Sequence, residues 1–478
     1  MSRAQAILIT LVVYKLAMVA IGVWAQRQAK DGGDYFLGGR RLGPAVAALS
    51  ASASSSSVWT LLGVSGFAYG FGLAAIWLIP ACVGGFALNW YVLAPALRRA
   101  SARTGALTVT EMLAGPRTGA TNEGGRRSVV VVASLIVLLS LLTYVAAQFQ
   151  GAGQAFATTF SIPYASALLI GAGVVVFYTL LGGFWAVSLT DTVQGLMMVA
   201  AAVLLPSFAL ARVGFEGLTT DLVGTAGWWA AATKGLPLGA GLGFVLGLLG
   251  IGLGYPGQPH VVNRFMALRD DESVVTGRRI ALTWAVLIYA GMILLGWSMR
   301  VLMPGLLDRE EAFVEASTLL LAPVPAGIMV AALLSAIMST ADSQLLVASS
   351  TISHDLLGLG DTGELDATKQ MRRARVTVLL LSLAAVGVAL VADESIFSSV
   401  LFAWTAMGAA FGPLLLVTVL HRRPARWAVL AAMSSGFVLS VAAHSWPATK
   451  GGFWERVVPF VIALGFAWLG SRARDEGA

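Results

Sequence analysis

The segment Leu49–Gly63 reads LSASASSSSVWTLLG and gives the strongest indication of the fold. Six of the eight positions from residue 50 to residue 57 are serine, and the whole segment lies in a long apolar region without charges. Serine competes for backbone hydrogen bonds, so a regular lipid-facing helix is unfavourable here. A membrane tolerates irregular backbone only where it lines a cavity or meets another partner. We therefore predict a broken membrane helix whose freed carbonyl groups turn toward a cation.

The composition is that of an integral membrane protein. The chain has 478 residues, of which 57% are hydrophobic and 12% are charged, with a mean hydropathy of +0.81. Soluble domains average about 25% charged residues. The single cysteine, Cys82, excludes an intramolecular disulfide and is interpreted as a small apolar side chain in a helix. Thirteen segments are long and apolar enough to span a bilayer: residues 6–25, 45–69, 73–96, 128–157, 161–182, 188–211, 237–259, 279–302, 322–352, 374–391, 396–420, 426–444 and 452–470.

The distribution of positive charge predicts the orientation. Thirteen spans place the termini on opposite sides of the membrane. One alternating set of loops carries 23 Lys and Arg residues and the other carries 7, so the net charge of +7 reflects this bias rather than nucleic-acid binding. We expect the N-terminus outside, the C-terminus in the cytoplasm and the first helix retained rather than cleaved. The longest loop, 97–127, is too short for a globular domain, so the function must lie within the helix bundle.

Three ionisable residues lie within the apolar segments, where each is a functional candidate. Asp342 is accompanied by Ser339, Thr340 and Ser343, and positions 339, 342 and 343 share one helix face. Oxygen ligands suit hard cations, and one carboxylate among neutral oxygens suits a monovalent ion. The alternative is hydrogen bonding between helices, for which membrane proteins often use serine and threonine.

The other two ionisable residues are Asp191 and Lys15. Asp191 lies beside Thr190, Thr192 and Gln194 at the start of an apolar segment. Its carboxylate could equally be a helix cap or a surface group. Lys15 lies in the first segment, where it could reach toward the membrane surface or pair with a carboxylate in a local structural role.

A second segment, GIGLGYPGQP at Gly250–Pro259, also predicts a broken helix because it contains four glycines and two prolines. Two interrupted spans separated by about five helices are typical of transporters with inverted repeats and a binding site near the membrane midplane. Closely packed or flexible helices are the alternative. The sequence contains no HExxH, GxSxG or GxxxxGK[ST] motif, which argues against an intramembrane enzyme or an ATP-driven pump. A sensor that binds solute without transport and a channel are further alternatives.

At these segments the sequence resembles the sodium/solute symporter family, and most closely its sodium/proline symporters. Four stretches carry the resemblance: DYFLGGRRLG (Asp34–Gly43), YTLLGGFWAVSLTDTVQG (Tyr178–Gly195), GLGYPGQPHVVNRFMA (Gly252–Ala267) and MSTADSQLLVASS (Met338–Ser350). The resemblance implies an all-α, leucine-transporter-like fold with a 5+5 inverted repeat whose first helices are broken. It implies one transmembrane domain over 1–478, made of an extra helix and loop at 1–44, repeats at 45–211 and 237–391, and C-terminal helices at 396–478.

The resemblance also implies the site residues and Na⁺ as the coupling ion, one or two ions per cycle. A sodium site shared across the family maps to Ala53, Ser56, Ala336, Ser339 and Thr340. A second sodium site, found in some members, maps to Asp191, Ser339, Asp342 and Ser343. A coupling role maps to Arg40. The solute pocket maps to Ser57, Trp59, Tyr144, Tyr255, Pro256 and Gln258.

These assignments predict sodium-coupled import of a small solute, with L-proline as the best candidate. Proline symporters usually carry an aspartate where this chain has Ser55, a glycine where it has Val58 and a tryptophan where it has Ile251. Another small amino acid or a carboxylate, coupled to sodium or protons, is therefore an alternative. The expected partners are the solute and the lipid bilayer of the cell membrane. We expect no enzymatic activity, no nucleic acid and no obligate protein partner.

Overall fold

The computed structural model describes residues 2–26, 38–115, 123–180, 183–224, 227–359, 367–420 and 422–473. Parts of two motifs noted above, residues 34–37 and 181–182, lie outside these ranges. The described chain is almost entirely helical. The short strands β1 (Arg422–Pro424) and β2 (Ser471–Ala473) pair antiparallel. They lie on either side of the last helices, which begin at Arg426 and end at Leu469.

The helices of the first half are bounded as follows: α1 (Arg3–Gln26), α2 (Pro44–Ser55), α3 (Ser65–Phe71), α4 (Leu78–Leu88), α5 (Ala94–Thr104), α6 (Val109–Ala114), α7 (Glu123–Phe160), α8 (Tyr164–Thr179) and α9 (Phe184–Val223). The helices of the second half are α10 (Trp228–Ala232), α11 (Leu238–Leu249), α12 (Pro259–Met266), α13 (Asp271–Leu302), α14 (Ala312–Leu320), α15 (Pro323–Ser350), α16 (Ala367–Val391), α17 (Ile396–Val419), α18 (Arg426–Ser445), α19 (Phe453–Arg456) and α20 (Val458–Leu469). Short 3₁₀ and π turns extend several of them.

Ten segments of the described chain are long and apolar enough to cross a membrane. The segment Trp59–Thr104 contains the second part of the predicted span 45–69 and all of the span 73–96, with Gly72, where φ is +56°, between them. The helices α8 and α20, with 16 and 12 residues, match two further predicted spans but are shorter than a full crossing requires. A count of thirteen crossings therefore stays a prediction.

Both predicted helix breaks are confirmed. The helix α2 ends at Ser55, Ser56 adopts φ −112° and ψ 78°, and a π turn begins at Trp59 before α3. In the second repeat a 3₁₀ segment, Gly250–Gly257, ends at Gln258, which adopts φ −95° and ψ 99° before α12 begins. One break lies near the start of each predicted repeat, 45–211 and 237–391.

One boundary was predicted wrongly. Residues 260–278 lie between the predicted spans 237–259 and 279–302 and were therefore interpreted as one of the positively charged cytoplasmic loops, but Pro259–Met266 form the helix α12, whose residues are all buried. Pro259 occupies the first turn of this helix. Proline is well tolerated there because an N–H at this position would have no intrahelical acceptor. The predicted loop therefore contains the second half of a broken helix inside the bundle.

The extra first helix packs lengthwise against α15. The Arg3 guanidinium donates to the carbonyl of Leu321 at 3.0 Å, and the Tyr14 hydroxyl lies 2.6 Å from the Ser335 hydroxyl. Between these contacts, the backbone at Gly327 approaches α1 so closely that a Cβ atom would crowd Thr10. Residue numbers rise together along both helices, so α1 and α15 run parallel.

Two helices form the centre of the bundle. In the apolar windows of the segments containing α15 and α17, 83% and 89% of the residues are buried. Most of the other spans expose one face, as lipid-facing helices do. Because α15 is enclosed on nearly all sides, its hydroxyl and carboxyl groups face other helices rather than lipid.

Candidate functional site

The residues predicted to form the shared sodium site lie where broken α2 meets α15. The Ser339 hydroxyl donates to the carbonyls of Ala53 and Ala336, both at 3.2 Å. The Ser56 N–H donates to the same Ala53 carbonyl at 3.2 Å, because α2 tightens before it breaks. The structure therefore brings Ala53, Ser56, Ala336 and Ser339 together.

Thr340, the fifth predicted residue of this site, joins the same two elements. Its hydroxyl donates to the carbonyl of Ser54 at 3.1 Å, and the side chain is fully buried. The site thus offers hydroxyl and carbonyl oxygens without a carboxylate in direct contact. Neutral oxygens of this kind suit a hard monovalent cation such as Na⁺. The break contributes the Ser54 carbonyl, which lies in the last turn of α2, where carbonyls lack regular intrahelical partners.

A buried ion pair lies next to this junction. The Asp191 carboxylate on α9 accepts from the Arg264 guanidinium on α12 at 3.0 Å, and both side chains are at most 1% exposed. The same carboxylate oxygen accepts from the hydroxyls of Ser50 at 2.7 Å and Ser54 at 3.2 Å. Asp191 is therefore neither a helix cap nor a surface group.

Arg264 connects four elements. Its guanidinium donates to Ser50 on α2 at 3.0 Å and to Ser343 on α15 at 2.6 Å, besides its bond to Asp191. It also bonds the His260 carbonyl one turn earlier on α12. Sequence reasoning missed this residue because its segment was interpreted as a loop. The available signal was an arginine within the apolar run VVNRFMA.

Asp342 is next to Ser343 in sequence but bonds the helix α8 rather than this ion pair. One of its carboxylate oxygens accepts from the Thr179 hydroxyl of α8 at 2.7 Å, and the other is buried without a hydrogen-bond partner in the described chain. Of the predicted second sodium site, the structure joins Asp191 and Ser343, and Ser54 links them to the Ser339 carbonyl at 3.3 Å. No hydrogen bond among the described residues joins Asp342 to these three. Sodium binding by this set stays a prediction.

The predicted solute residues surround the two helix breaks. The Ser57 hydroxyl accepts from the Trp59 N–H at 3.2 Å and from the Tyr144 hydroxyl at 3.4 Å. On the other side, the Gln258 amide donates to the carbonyls of Gly254 and Trp404, both at 2.9 Å. Pro256 lies beside it, within the 3₁₀ segment of the second break.

Aromatic rings lie between the residues of the first helix break and those of the second. The Tyr255 ring lies 4.6 Å from that of Trp404, which is 6.5 Å from that of Tyr144. The Tyr255 hydroxyl lies 2.7 Å from that of Tyr289, whose ring is 6.3 Å from Trp59. Sequence reasoning missed Trp404 and Tyr289, since neither lies in a segment with unusual composition.

Several polar atoms at this place are buried and have no hydrogen-bond partner in the described residues: Trp59 Nε1, Thr60 Oγ1, Gln148 Nε2 and Gln258 Oε1. Gln148, also missed from sequence, accepts the Val58 N–H at 3.1 Å through its other side-chain atom. Native proteins rarely bury polar atoms without a partner. Aromatic walls with a few such groups are typical of a site for a small amphipathic ligand.

Comparison with known proteins identifies the family of this chain. A family model, the sodium:solute symporter family, matches residues 35–436. This chain belongs to that family. A sodium/proline symporter of Escherichia coli (strain K12) is 35% identical over 447 residues, covering 91% of this chain and 87% of the relative. An osmoregulated proline transporter of Bacillus subtilis (strain 168) is 33% identical, covering 96% of this chain and 93% of the relative.

Solved structures of symporters show the same fold. A Na⁺-coupled sialic acid symporter in a substrate-bound outward-open state matches with a TM-score of 0.79 at 18% identity, covering 98% of this chain and 99% of that chain. A nucleobase-cation-symport-1 family transporter, closed with bromovinylhydantoin bound, matches with a TM-score of 0.56 at 14% identity, covering 92% and 94%. The leucine-transporter-like fold is thereby confirmed. The family is one of transporters, and the chain is a sodium-coupled solute symporter with several spans in the cell membrane.

Arg40, to which the resemblance gives a coupling role, lies apart from the symporter's central site. Its guanidinium donates to the Ala106 carbonyl at 2.8 Å, at the loop between α5 and α6. Partial burial lowers the pKa of Arg40 from its ordinary value, and the nearby Glu111 carboxylate opposes this effect. The coupling role stays a prediction.

Proposed function

We propose that this symporter imports L-proline together with sodium by alternating access. Sodium/proline symporters of Escherichia coli and Staphylococcus aureus share 35% and 32% identity with it over most of its length. The observation that carries the proposal is the adjacency of the ion and solute groups. Ser56 belongs to the predicted sodium site and Ser57, the next residue, bonds the predicted solute residues Tyr144 and Trp59.

Sodium binding would order the break in α2. The ion is bound between α2 and α15 by the carbonyls of Ala53, Ser56 and Ala336 and the hydroxyls of Ser339 and Thr340. This contact holds α2 against α15 and so fixes the residues that follow the break. Because the solute groups begin at Ser57, the ion prepares the solute site, and solute binding in turn favours closure of the bundle.

The pocket suits an apolar ring that carries a charged carboxylate. The rings of Trp59, Tyr255 and Trp404 cover the apolar part of the solute. Its carboxylate is held by the Ser57 hydroxyl and the unpaired donors of Trp59 and Gln148. Backbone N–H groups at the interrupted helix ends add a favourable electrostatic environment for an anion.

Val58, which stands where proline symporters usually have glycine, does not fill this pocket. Its methyl groups occupy the space beside Gly151 on α7, where a Cβ atom would overlap them. The larger side chain is therefore accommodated by a glycine on the neighbouring helix. This placement leaves proline as the first candidate solute.

An outer vestibule and an inner closure complete the path, with the N-terminus outside. The vestibule, a cavity of about 550 Å³, is rich in acidic side chains, which attract cations: Asp308, Glu310, Glu311, Asp393 and Glu394. Below it, the Phe397 ring lies 5.6 Å from that of Trp59 and covers the solute site. At the other end, the Asp191–Arg264 pair closes the bundle.

One sodium charge moving through 100 mV provides about 2.3 kcal/mol, enough for about 50-fold accumulation of solute.

Transport of radiolabelled proline into proteoliposomes tests the proposal. Purified protein is reconstituted, and uptake under an inward sodium gradient is compared with uptake under a matched potassium gradient. The expected result is sodium-dependent accumulation above equilibrium, lost in Tyr255→Ala and retained in Ser445→Ala, whose hydroxyl bonds only its own helix. Accumulation of another small amino acid or carboxylate in place of proline would refute the solute. Sodium-dependent binding without accumulation would indicate a sensor instead.

A further inference from the structure

The two carboxylates of the predicted second sodium site each lie near a cation that belongs to the protein. For Asp191 that cation is Arg264, at 3.0 Å and with both side chains buried. Arg264 also donates to Ser343, another predicted ligand of the same site. A sodium ion at this place would therefore compete with a guanidinium that already bonds two of its four ligands.

For Asp342 the nearby cation is Lys15 of the extra helix α1. Ser335, Met338 and Asp342 follow one another on a single face of α15, at spacings of three and four residues. The α1 helix runs along this face, with the Tyr14 hydroxyl 2.6 Å from that of Ser335 and the Lys15 ammonium against the Met338 sulfur. Because the helices are parallel, Asp342 lies about one turn, or roughly 6 Å, farther along from this contact.

Lys15 and Asp342 each have hydrogen-bonding capacity that their contacts with the described residues do not use. A thioether is a weak acceptor, whereas an ammonium has three strong donors. One carboxylate oxygen of Asp342 is buried without a partner among the described residues. Lys15 and Asp342 also attract each other electrostatically across this distance. The flexible four-carbon stem of lysine lets its ammonium move along the face of α15 to the free oxygen.

Charge neutrality of the region depends on Lys15. Asp191, Lys15 and Arg264 are ionisable groups close enough to act electrostatically on Asp342. With all four groups ionised, two carboxylates and two cations give no net charge. A sodium ion added to this cluster would then leave one uncompensated positive charge in a region shielded from water, which is strongly unfavourable. Among the described residues, no protein cation makes a hydrogen bond to the Ser339 or Thr340 hydroxyl at the shared site.

We propose that Lys15 is the built-in counter-cation of Asp342, as Arg264 is of Asp191, so that the solute is coupled to a single sodium ion. The proposal rests on the proposed function and specifies its ion stoichiometry. The sodium ion is bound at the shared site, and the place of a second ion is taken by the side chain of Lys15. Removal of that side chain leaves a net negative charge, which a second sodium ion then neutralises.

The test counts sodium ions in two ways. Equilibrium binding of radioactive sodium to the purified protein, without solute, gives the number of ions bound per chain. Simultaneous uptake of radioactive sodium and labelled proline into proteoliposomes gives the transport ratio. For the wild type we expect one bound ion and one ion per solute, and for Lys15→Met we expect two bound ions and a steeper sodium dependence of uptake.

Matched variants separate charge from packing. Lys15→Arg keeps the cation and should keep the count at one. Lys15→Gln also removes the charge and should bind two ions, so it takes the place of Lys15→Met if that variant fails to fold. The double variant Lys15→Met with Asp342→Asn restores neutrality and should return the count to one. Arg212→Met removes an exposed cation on α9 and serves as the control for loss of positive charge.

The outcomes distinguish this proposal from the proposed function. Two ions bound to the wild type, or an unchanged count in both neutral Lys15 variants, would overturn it. One bound ion in the wild type and two in Lys15→Met would support it even if proline is not the transported solute, since sodium binding is measured without solute. Failure of proline uptake alone refutes only the choice of proline.

Discussion

The Thr340 hydroxyl joins α15 to α2 at the point where the first helix break begins. It donates to the Ser54 carbonyl at 3.1 Å and is a predicted ligand of the sodium ion. We expect Thr340→Ala to weaken sodium affinity at least tenfold, about 1.4 kcal/mol or more, because one ligand is lost from a buried site. The half-saturating sodium concentration of uptake measures this effect. Thr340→Ser keeps the hydroxyl and should stay close to the wild type, and an unchanged affinity in Thr340→Ala would remove Thr340 from the site.

Arg264 offers a second prediction at the residue scale. Its planar guanidinium bonds Asp191, Ser343 and Ser50 at once, which the single ammonium of lysine cannot reproduce. We expect Arg264→Gln to lower the free energy of unfolding by about 3 kcal/mol, since it leaves Asp191 as an unpaired buried charge. Thermal unfolding in detergent measures this loss. Adding Asp191→Asn should recover part of it, and full stability in Arg264→Gln alone would show that the ion pair is not structural.

The sequence identified the residues that meet at the junction of α2 and α15 better than their neighbours. The serines of α2 and Asp342 were recognisable because polar side chains are rare in membrane segments and because the family motif includes them. Arg264 was not recognised as a partner of Asp191, from which it is 73 positions distant in sequence. Trp404 and Tyr289 resemble ordinary apolar positions until the fold brings them to the breaks. Pairings of this kind depend on tertiary packing, which periodicity in one segment cannot reveal.

At the scale of helices, Glu310 fixes the start of α17 over the solute site. Its buried carboxylate accepts the N–H groups of Ile396 at 3.0 Å and Phe397 at 2.8 Å. Burial raises the pKa of Glu310, and these two N–H groups oppose the increase. The Phe397 ring then stacks on Phe67 at 4.7 Å and approaches Trp59 at 5.6 Å. One carboxylate thus positions an aromatic layer between the vestibule and the pocket.

We expect Glu310→Gln to weaken apparent solute affinity about fivefold, near 1 kcal/mol, because an amide has one oxygen to accept two N–H groups. Sodium affinity should change less, since the ion site lies on the other side of Trp59. The concentration dependence of uptake for each substrate measures the two effects separately. Glu315→Gln, on the neighbouring α14, is the matched control. Equal losses of solute and sodium affinity would show that Glu310 supports the whole bundle instead.

Helix breaks could be predicted at this scale and helix ends could not. The runs of serine and of glycine with proline act locally, so their effect on the backbone is visible in the sequence. The helix α12 was predicted as a loop because its eight residues include His260 and Arg264, which resemble a membrane exit. The helix is buried because its polar groups meet Asp191 and Ser50 on other helices.

At the scale of the whole molecule, the proposed ion site depends on a contact between distant parts of the chain. The Ser339 hydroxyl and the Ala53 carbonyl are 286 positions apart in sequence, one in each predicted repeat. Composition and charge bias predict a membrane bundle, and the family resemblance predicts its repeats. The parallel contact of α1 with α15, which places Lys15 near Asp342, could not be predicted from either. Sodium bound between the repeats should therefore stabilise the whole bundle.

Thermal unfolding in sodium and in potassium tests this expectation. A ligand that binds only the folded state at 100 times its dissociation constant adds about 2.7 kcal/mol to the free energy of unfolding. We expect the melting temperature of the purified symporter to rise by a few degrees when sodium replaces potassium at equal ionic strength. Proline should add a further increase in sodium but little in potassium, because the residues that bind it follow the ion-ordered break. Thr340→Ala should lose about half of the sodium increment or more, because its affinity for sodium is at least tenfold weaker. Its free energy of unfolding in potassium should stay within about 1 kcal/mol of the wild type. Equal melting temperatures in the two salts would mean that sodium does not bind between the repeats, whereas an equal effect of proline in both salts would separate solute binding from the ion.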